Sequence, residues 1–200
     1  MKVTTKLIRE LREATSSGML DCKNALVKSN GDFDKAVEVL RKKGLAKAAK
    51  RADRDASEGM LELYSHGGGR IGVIVEVNCE TDFVARSDTF REFAHEVALQ
   101  IAASAPRWVN EDDIPEDVIE KEREIAREFA LQEGKPENIV DRIVDGRLKK
   151  FKDETVLMRQ AYIRDDDLTI QKLLYENIAA MGENIIIRRF TRWEVGENTN

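Results

Sequence analysis

The amino-acid sequence predicts an α+β protein in which three short helices precede a small antiparallel sheet with packed helices. Three observations support this class. Apolar residues recur at helical spacing in three short segments before residue 44. Two strand-like runs then flank Gly67, Gly68 and Gly69, as in a β-hairpin. Helical segments and a final apolar strand follow, so helices and strands are both needed to close a core.

Residues 1–44 are predicted to form a three-helix domain. The second helix is expected to end at Asn30 and Gly31, and the third begins with Asp32 as N-cap and is expected to stop at Gly44. The inward faces of the three helices are predicted to be Leu7, Ile8 and Leu11, then Cys22, Ala25 and Leu26, then Phe33, Ala36, Val37 and Leu40.

Residues 45–58 are rich in alanine and charge and hold too few large apolar residues to pack, so we interpret them as a helical or flexible linker. Seven Lys or Arg residues fall between Arg41 and Arg54, which would also suit a nucleic-acid patch. A solvated linker is favoured because no aromatic residue is interleaved for base stacking and the chain has a net charge of -5.

Residues 59–200 are predicted to form an α+β core domain. Residues 59–66 and 71–77 form the hairpin, and the glycines between them lack the Gly-Lys-Ser/Thr ending of a phosphate-binding loop. The predicted elements that follow are a helix from Ser87 or Asp88 to near Pro106, an antiparallel helical hairpin near 115–154, a helix over 168–181 and a strand over 185–195.

Composition excludes several classes of protein. Hydrophobic residues make up 42% and charged residues 36% of the chain, which is typical of a soluble, helix-rich protein, and no stretch reaches the roughly 20 apolar residues of a membrane helix. The opening MKVTTKLIRE lacks a signal peptide's apolar core, so we expect a cytoplasmic protein with no membrane partner. Cys22 and Cys79 have no metal-ligand spacing and are predicted to be buried free thiols.

Residues suited to catalysis are few. Neither His66 nor His95 sits in a motif that would give it the role of a base. The acidic clusters at 111–113 and 165–167 each precede a predicted helix, so we interpret them as helix caps and not as cation ligands. The sequence therefore predicts a protein that is not an enzyme, with no cofactor and no metal site.

The segment from Val77 to Arg86, between the second strand and the long helix, admits two interpretations. By ordinary capping and burial statistics, Thr81 or Asp82 would cap a helix and Phe83 would lie in the core. The same residues could instead face a partner. Local pattern alone does not decide between them.

Family resemblance bears on this choice. The run Thr81-Asp82-Phe83-Val84-Ala85, directly after a strand, closely resembles the hallmark of the elongation factor Ts family, the exchange factors for elongation factor Tu. Residues 11–32, with Gly18-Met19-Leu20-Asp21-Cys22-Lys23, look like that family's ubiquitin-associated-like amino-terminal domain. Residues 182–189, beginning Gly182-Glu183-Asn184-Ile185, resemble another family run. These motifs span nearly the whole chain in the family's order.

The resemblance implies specific contacts with GDP-bound elongation factor Tu. Thr81, Asp82, Phe83, Val84 and Ala85 would meet the GTPase near its magnesium and switch region, with Phe83 as a wedge and Asp82 disturbing the magnesium environment. Arg12, Met19 and Leu20 would grip a helix of the same GTPase domain. His66, at the hairpin tip, matches a histidine in the second core of longer members and is a further candidate contact. Guanine-nucleotide exchange during translation elongation is the implied function, without direct binding of nucleic acid.

The chain departs from longer family members, which carry two similar core subdomains, because it has one hairpin and a single core's worth of sequence. By analogy we expect a homodimer, with the apolar final strand as a possible means of edge-to-edge pairing. Two other functions stay open at this point: a generic interaction module whose head binds some other helix, and a nucleic-acid binder that uses the basic linker.

Overall fold

The structure, a computed structural model, describes residues 3–15 and 17–197. Within these residues it has helices and strands in the mixed order that the sequence predicts, so the chain has the expected α+β class. The described elements are α1 (Thr5–Thr15), α2 (Met19–Lys28), α3 (Phe33–Ala49), β1 (Glu58–His66), β2 (Ile71–Cys79), α4 (Asp82–Ala85), α5 (Asp88–Ser104), α6 (Glu116–Gln132), α7 (Glu137–Thr155), β3 (Ala161–Tyr162), β4 (Asp165–Thr169), α8 (Ile170–Met181) and β5 (Ile185–Glu194).

Two sheets are present in the described part of the chain. The larger has the strand order β1-β2-β5, so the final strand lies at an edge. Gly67, Gly68 and Gly69 all have positive φ and form the turn between β1 and β2, which confirms the predicted hairpin. The smaller sheet pairs β3 and β4 in antiparallel orientation, and the sequence analysis did not predict it.

The described residues group into two compact units, each assembled from separate stretches of chain. The first takes in the residues up to Glu62 together with Val75–Glu96 and Lys172–Arg188. The second takes in Leu63–Ile74, Val97–Gln171 and the residues from Arg189 onward. The domain boundaries predicted at residues 44 and 59 stay predictions.

In the first unit, α1, α2 and α3 enclose a small core. The Oδ1 atom of Asp32 caps α3 by accepting a hydrogen bond from the Lys35 N–H at 3.1 Å. Asn30 and Gly31 end α2 with positive φ, and the Gly31 N–H donates to the Leu26 carbonyl at 2.8 Å. These caps confirm the predicted helix ends. The buried residues of this core are Leu11, Cys22, Ala25, Leu26, Ala36 and Leu40.

The predicted stop at Gly44 is wrong, because α3 continues to Ala49 and so includes part of the predicted linker. Gly44 is buried, and a Cβ built on it would lie 3.3 Å from the Ala179 Cβ. The glycine therefore serves the close approach of α3 to α8, and a left-handed turn is not needed there.

In the second unit, α6 and α7 form the predicted helical hairpin around a core of alanine, valine and leucine side chains. The sequence analysis predicted helix-capping roles for two acidic clusters, and both clusters lie in this unit. Residues 111–113 form a 3-10 turn of their own, in which Asp113 Oδ2 accepts from the Asn110 N–H at 2.7 Å. The helix that follows, α6, has Pro115 as N-cap and no side-chain cap hydrogen bond, so the predicted cap on that helix is wrong. Asp165–Asp167 lie on the exposed strand β4, and their predicted capping role is wrong. The core of the hairpin is Ala126, Ala130, Val140, Val144 and Leu148.

Cys22 and Cys79 are both buried and free, as predicted. In the two described stretches of chain, no helix is both long enough and apolar enough to cross a membrane.

Candidate functional site

The residues between β2 and α5 form a short strand–turn–helix junction. Thr81 has an extended backbone and acts as the N-cap of the one-turn helix α4, its Oγ1 accepting from the Val84 N–H at 3.4 Å. Ser87 then links the turn to α5: its hydroxyl donates to the Val84 carbonyl at 2.8 Å and accepts from the Phe90 N–H at 3.3 Å. Two caps thus follow each other within a few residues, and each satisfies an otherwise unpaired backbone group.

Buried residues hold the strand side of this junction. Asn78 and Cys79 end β2, and the Cys79 thiol donates to the Thr81 carbonyl at 3.2 Å. Burial, together with the negative charge of Glu183, raises the pKa of Cys79 to about 11. The thiol is therefore protonated and serves as a hydrogen-bond donor beneath the turn.

Glu183, from the loop between α8 and β5, binds the turn through both carboxylate oxygens. Its Oε2 accepts from the Glu80 N–H at 3.1 Å and from the Thr81 N–H at 3.0 Å. Its Oε1 accepts from the Thr81 hydroxyl at 2.6 Å. A carboxylate that receives three hydrogen bonds makes strong, charge-assisted contacts with both the backbone and the cap residue.

A second carboxylate makes the reverse connection. Glu80 Oε1 accepts from the Asn184 N–H at 2.6 Å, and the Arg54 guanidinium lies 3.4 Å from the same carboxylate. The Asn184 side chain is buried and donates to the Arg54 carbonyl at 2.8 Å. The turn at residues 80–81 and the loop at residues 183–184 are therefore joined in both directions.

Phe83 projects from this braced turn into solvent. Its side chain is 84% exposed, the highest value among the large hydrophobic residues of the described chain, so the interpretation of Phe83 as a core residue is wrong. Asp82 is partly exposed and pairs with Arg86 at 3.0 Å. Val84 and Ala85 are half-buried and Thr81 is exposed. The structure therefore places the five predicted residues on one continuous, outward-facing turn.

Arg12, Met19 and Leu20 are exposed residues of the amino-terminal helices. Arg12 lies in the last turn of α1, and Met19 and Leu20 form the first turn of α2, where Leu20 is 68% exposed. The adjacent Asp21 carboxylate accepts from Lys43 and Lys47 of α3, both at 2.7 Å. These two hydrogen bonds lower the pKa of Asp21 and tie the first turn of α2 to the neighbouring helix.

His66 belongs to the second unit, whereas Thr81–Ala85 and the amino-terminal residues belong to the first. It is the exposed last residue of β1, and its Nδ1 lies 2.9 Å from the Tyr64 hydroxyl. A role for His66 as a contact stays a prediction.

The arrangement offers surface for binding and few groups for chemistry. Among residues 3–15 and 17–197 no three His, Cys, Asp or Glu side chains come together as metal ligands. The main feature of the arrangement is an exposed aromatic ring on a turn fixed by charged hydrogen bonds, and aromatic side chains are common at the centres of protein interfaces. The site is therefore an exposed apolar surface on a turn held by charged hydrogen bonds.

Comparison with known proteins identifies the family. Residues 4–197 match the model of the family described as Elongation factor TS. The chain is 57% identical over 195 residues to elongation factor Ts from Caldanaerobacter subterraneus subsp. tengcongensis, covering 98% of each chain. It is also 57% identical to elongation factor Ts from Carboxydothermus hydrogenoformans, covering 98% of this chain and 90% of that protein. It is 52% identical to elongation factor Ts from Coprothermobacter proteolyticus, covering 98% and 100%. The chain belongs to the elongation factor Ts family, a family of translation elongation factors.

Sequence reasoning did not assign a role to Glu183, Glu80 or Arg54, although all three make contacts that hold the turn. The run that begins Gly182-Glu183 was noted only as a family resemblance. Glu183 and Thr81 are 102 residues apart, so no periodicity or spacing connects them. The one sequence signal that could have suggested this contact is that two separate runs resembling the family occur in the same chain.

Proposed function

We propose that this chain binds GDP-bound elongation factor Tu and speeds release of GDP, acting as a non-enzymatic exchange factor in the cytoplasm. The observation that carries the proposal is the exposure of Phe83 on a braced turn, in a chain that belongs to the elongation factor Ts family. An aromatic ring left in water has no role in its own fold, whereas it would gain about 1.5–3 kcal/mol on burial in a partner. Asp82, beside it, would disturb the magnesium environment of the GTPase.

Energetics require a second contact surface. A thousandfold acceleration of release corresponds to about 4 kcal/mol, more than one phenylalanine supplies. Exposed Met19 and Leu20, with Arg12, are proposed to provide that surface by gripping a helix of the GTPase. Binding of the two ligands is linked: if this chain lowers the affinity of the GTPase for GDP by some ratio, bound GDP must lower the affinity of the GTPase for this chain by the same ratio.

The direct test is release of fluorescent GDP from elongation factor Tu, measured with and without the chain. We expect release to accelerate with increasing concentration of the chain until the rate saturates. A rate that stays at the spontaneous value at all concentrations would reject the proposed exchange function. If the chain still captured elongation factor Tu, the protein would be an interaction module.

Binding of nucleic acid is the less favoured function. Four of the seven basic residues between Arg41 and Arg54 pair with carboxylates: Arg41 with Glu176, Lys43 and Lys47 with Asp21, and Arg54 with Glu80. These pairs reduce the positive charge available to phosphates, and the whole chain is acidic. Tight RNA binding that weakens steeply with salt would contradict this view.

We further propose that two copies of the chain associate through the larger sheet. β5 is an edge strand, and Trp193 near its carboxyl-terminal end lines a shallow groove of about 260 Å³ together with apolar residues of the hairpin. Trp193 is 73% exposed, and Leu63 and Ile74 are also exposed in the same groove. Large adjacent apolar groups of this kind are typical of an interface.

The expected result is a dimer in sedimentation at micromolar concentration, both alone and with elongation factor Tu. Trp193→Glu should shift the equilibrium to monomer, because a carboxylate would be buried without a partner. Leu131→Glu, at an exposed position near the end of α6, is the matched control and should leave the dimer unchanged. A wild-type monomer under these conditions would refute the proposed association.

A further inference from the structure

We propose that Glu183 is a positioning residue, whose carboxylate fixes the turn at Glu80 and Thr81 so that Phe83 points at the GTPase. The inference rests on the proposed exchange function, and it assigns a role to a residue that itself need not touch the partner.

The hydrogen bonds of Glu183 define the direction in which α4 starts. The carboxylate accepts from two successive backbone N–H groups, at Glu80 and Thr81, at 3.1 and 3.0 Å. Two successive amides held by one oxygen leave the peptide between them little freedom to rotate. Phe83 follows two residues later, so its position depends on the orientation set here.

The Thr81 hydroxyl connects this brace to the helix itself. It donates its single proton to Glu183 Oε1 at 2.6 Å and accepts from the Val84 N–H at 3.4 Å. With its proton committed to Glu183, the hydroxyl oxygen is directed to the amide that follows Phe83. Glu183 therefore orients the residues on both sides of the aromatic ring.

External bracing is required because α4 has only four residues, Asp82–Ala85. A single helical turn is unstable alone, since nucleation fixes several dihedral angles for one hydrogen bond. None of its side chains is fully buried, although Val84 and Ala85 are half-buried, so packing gives its direction only partial support. Glu80 is also held through its side chain, which accepts from the Asn184 N–H at 2.6 Å and lies 3.4 Å from the Arg54 guanidinium.

Misdirection of the ring would affect exchange more than binding. A group that acts on a strained state of the partner must be positioned accurately, because small displacements of that group strongly reduce the rate of the step. The contact made by Met19 and Leu20 does not depend on Glu183, so the chain should still associate with elongation factor Tu when the brace is lost.

The test is a double-mutant cycle on GDP release, with Glu183→Gln, Phe83→Ala and the double variant compared with wild type. Glu183→Gln keeps the shape but replaces one acceptor oxygen with an amide that faces hydrogen-bond donors. We expect the saturating rate to fall by about tenfold, the usual size of a lost charged hydrogen bond, with little change in the half-saturating concentration. Glu154→Gln, an exposed glutamate on α7 paired with Lys150, is the control and should behave as wild type.

The cycle separates positioning from a general loss of structure. If Glu183 acts through Phe83, adding Glu183→Gln to Phe83→Ala should lower the rate no further. Independent, multiplicative effects would overturn the proposal, as would a wild-type rate in Glu183→Gln alone.

Hydrogen exchange gives a measurement that does not depend on the GTPase. The backbone amides of Glu80 and Thr81 should exchange faster in Glu183→Gln, while amides in the core of α5 keep their protection. Unchanged exchange at both residues would show that the carboxylate does not hold the turn. If the brace is confirmed but wild-type chain fails to release GDP, the proposed exchange function fails and the bracing role in the fold stands.

Discussion

The turn that carries Phe83 and the helix that carries Leu20 both present apolar side chains to solvent, but they are supported in different ways. α4 has four residues and depends on hydrogen bonds from Glu183, over 100 residues away. α2 has ten residues, and its buried face packs into the amino-terminal core. Its N-cap, Gly18, makes no side-chain cap hydrogen bond, so packing and the Asp21 contacts with α3 hold its amino-terminal end.

The difference suggests that the two surfaces have different roles, one in affinity and one in rate. A packed helix face gives a stable area for association. A small turn held by directional hydrogen bonds instead fixes the orientation of one side chain. We therefore expect changes near Phe83 to act mainly on the rate of GDP release at saturation, and changes near Leu20 to act mainly on the concentration of factor needed.

The largest expected effect is that of Phe83→Ala. Removing the ring should lower the saturating GDP-release rate by about 10- to 100-fold, since burial of a phenylalanine contributes about 1.5–3 kcal/mol. Because Phe83 is exposed, the melting temperature should stay close to that of wild type. Stopped-flow release of fluorescent GDP gives the rate, and Leu131→Ala serves as a control at another exposed apolar position. A wild-type rate in Phe83→Ala would reject the turn as the exchange site.

The next effect is that of Leu20→Ala. Loss of this side chain should raise the half-saturating concentration by about tenfold or more, while the saturating rate changes little. Titration of the factor at fixed elongation factor Tu measures both quantities. Leu45→Ala, at an exposed position on α3, should leave both unchanged. The proposed difference between the two surfaces would be contradicted if Leu20→Ala lowered the saturating rate and left the half-saturating concentration unchanged.

The smallest expected effect is on stability, in Asp21→Asn. The Lys43 and Lys47 hydrogen bonds lower the pKa of Asp21, so its contribution is present above the ordinary aspartate pKa and is lost as pH falls through the lowered value. The lysines are partly exposed, and about 1 kcal/mol is a reasonable upper value for such pairs. At neutral pH the variant should melt about 2–4 °C lower.

Thermal melting followed by circular dichroism at several pH values checks this prediction. The difference between the variant and wild type should narrow as the medium becomes acidic. A difference that grows under acid would mean that Asp21 is not held in its charged form by the two lysines.

Local patterns predicted the elements well wherever a helix buries its own periodic face. Leu11, Leu26 and Leu40 lie in the amino-terminal core as their spacing predicts. Gly44 was misread because a glycine that ends a helix and a glycine that allows close packing look alike in sequence. The pairing of β3 and β4 was missed because acidic Asp165–Asp167 lack the alternation of a half-buried strand.

For the site, family resemblance identified the residues of the turn, but the sequence did not predict the contacts that hold the turn in place. Local statistics favoured burial of Phe83, and only three-dimensional placement shows it exposed. The brace from Glu183 joins residues over 100 positions apart, and a buried amide such as Gln100, bonded to Gln160 at 3.2 Å, is equally invisible to periodicity. Long-range polar contacts depend on how the elements pack, which short windows of sequence do not encode.

The buried thiol beneath the turn has a practical consequence for labelling. With its pKa raised to about 11 by burial, Cys79 is almost entirely in the unreactive thiol form at neutral pH. Cys22 is likewise buried, with its pKa raised by desolvation. Maleimide reagents should therefore pass over both native cysteines, and a single cysteine introduced on the surface would take up a fluorophore selectively without prior removal of either one.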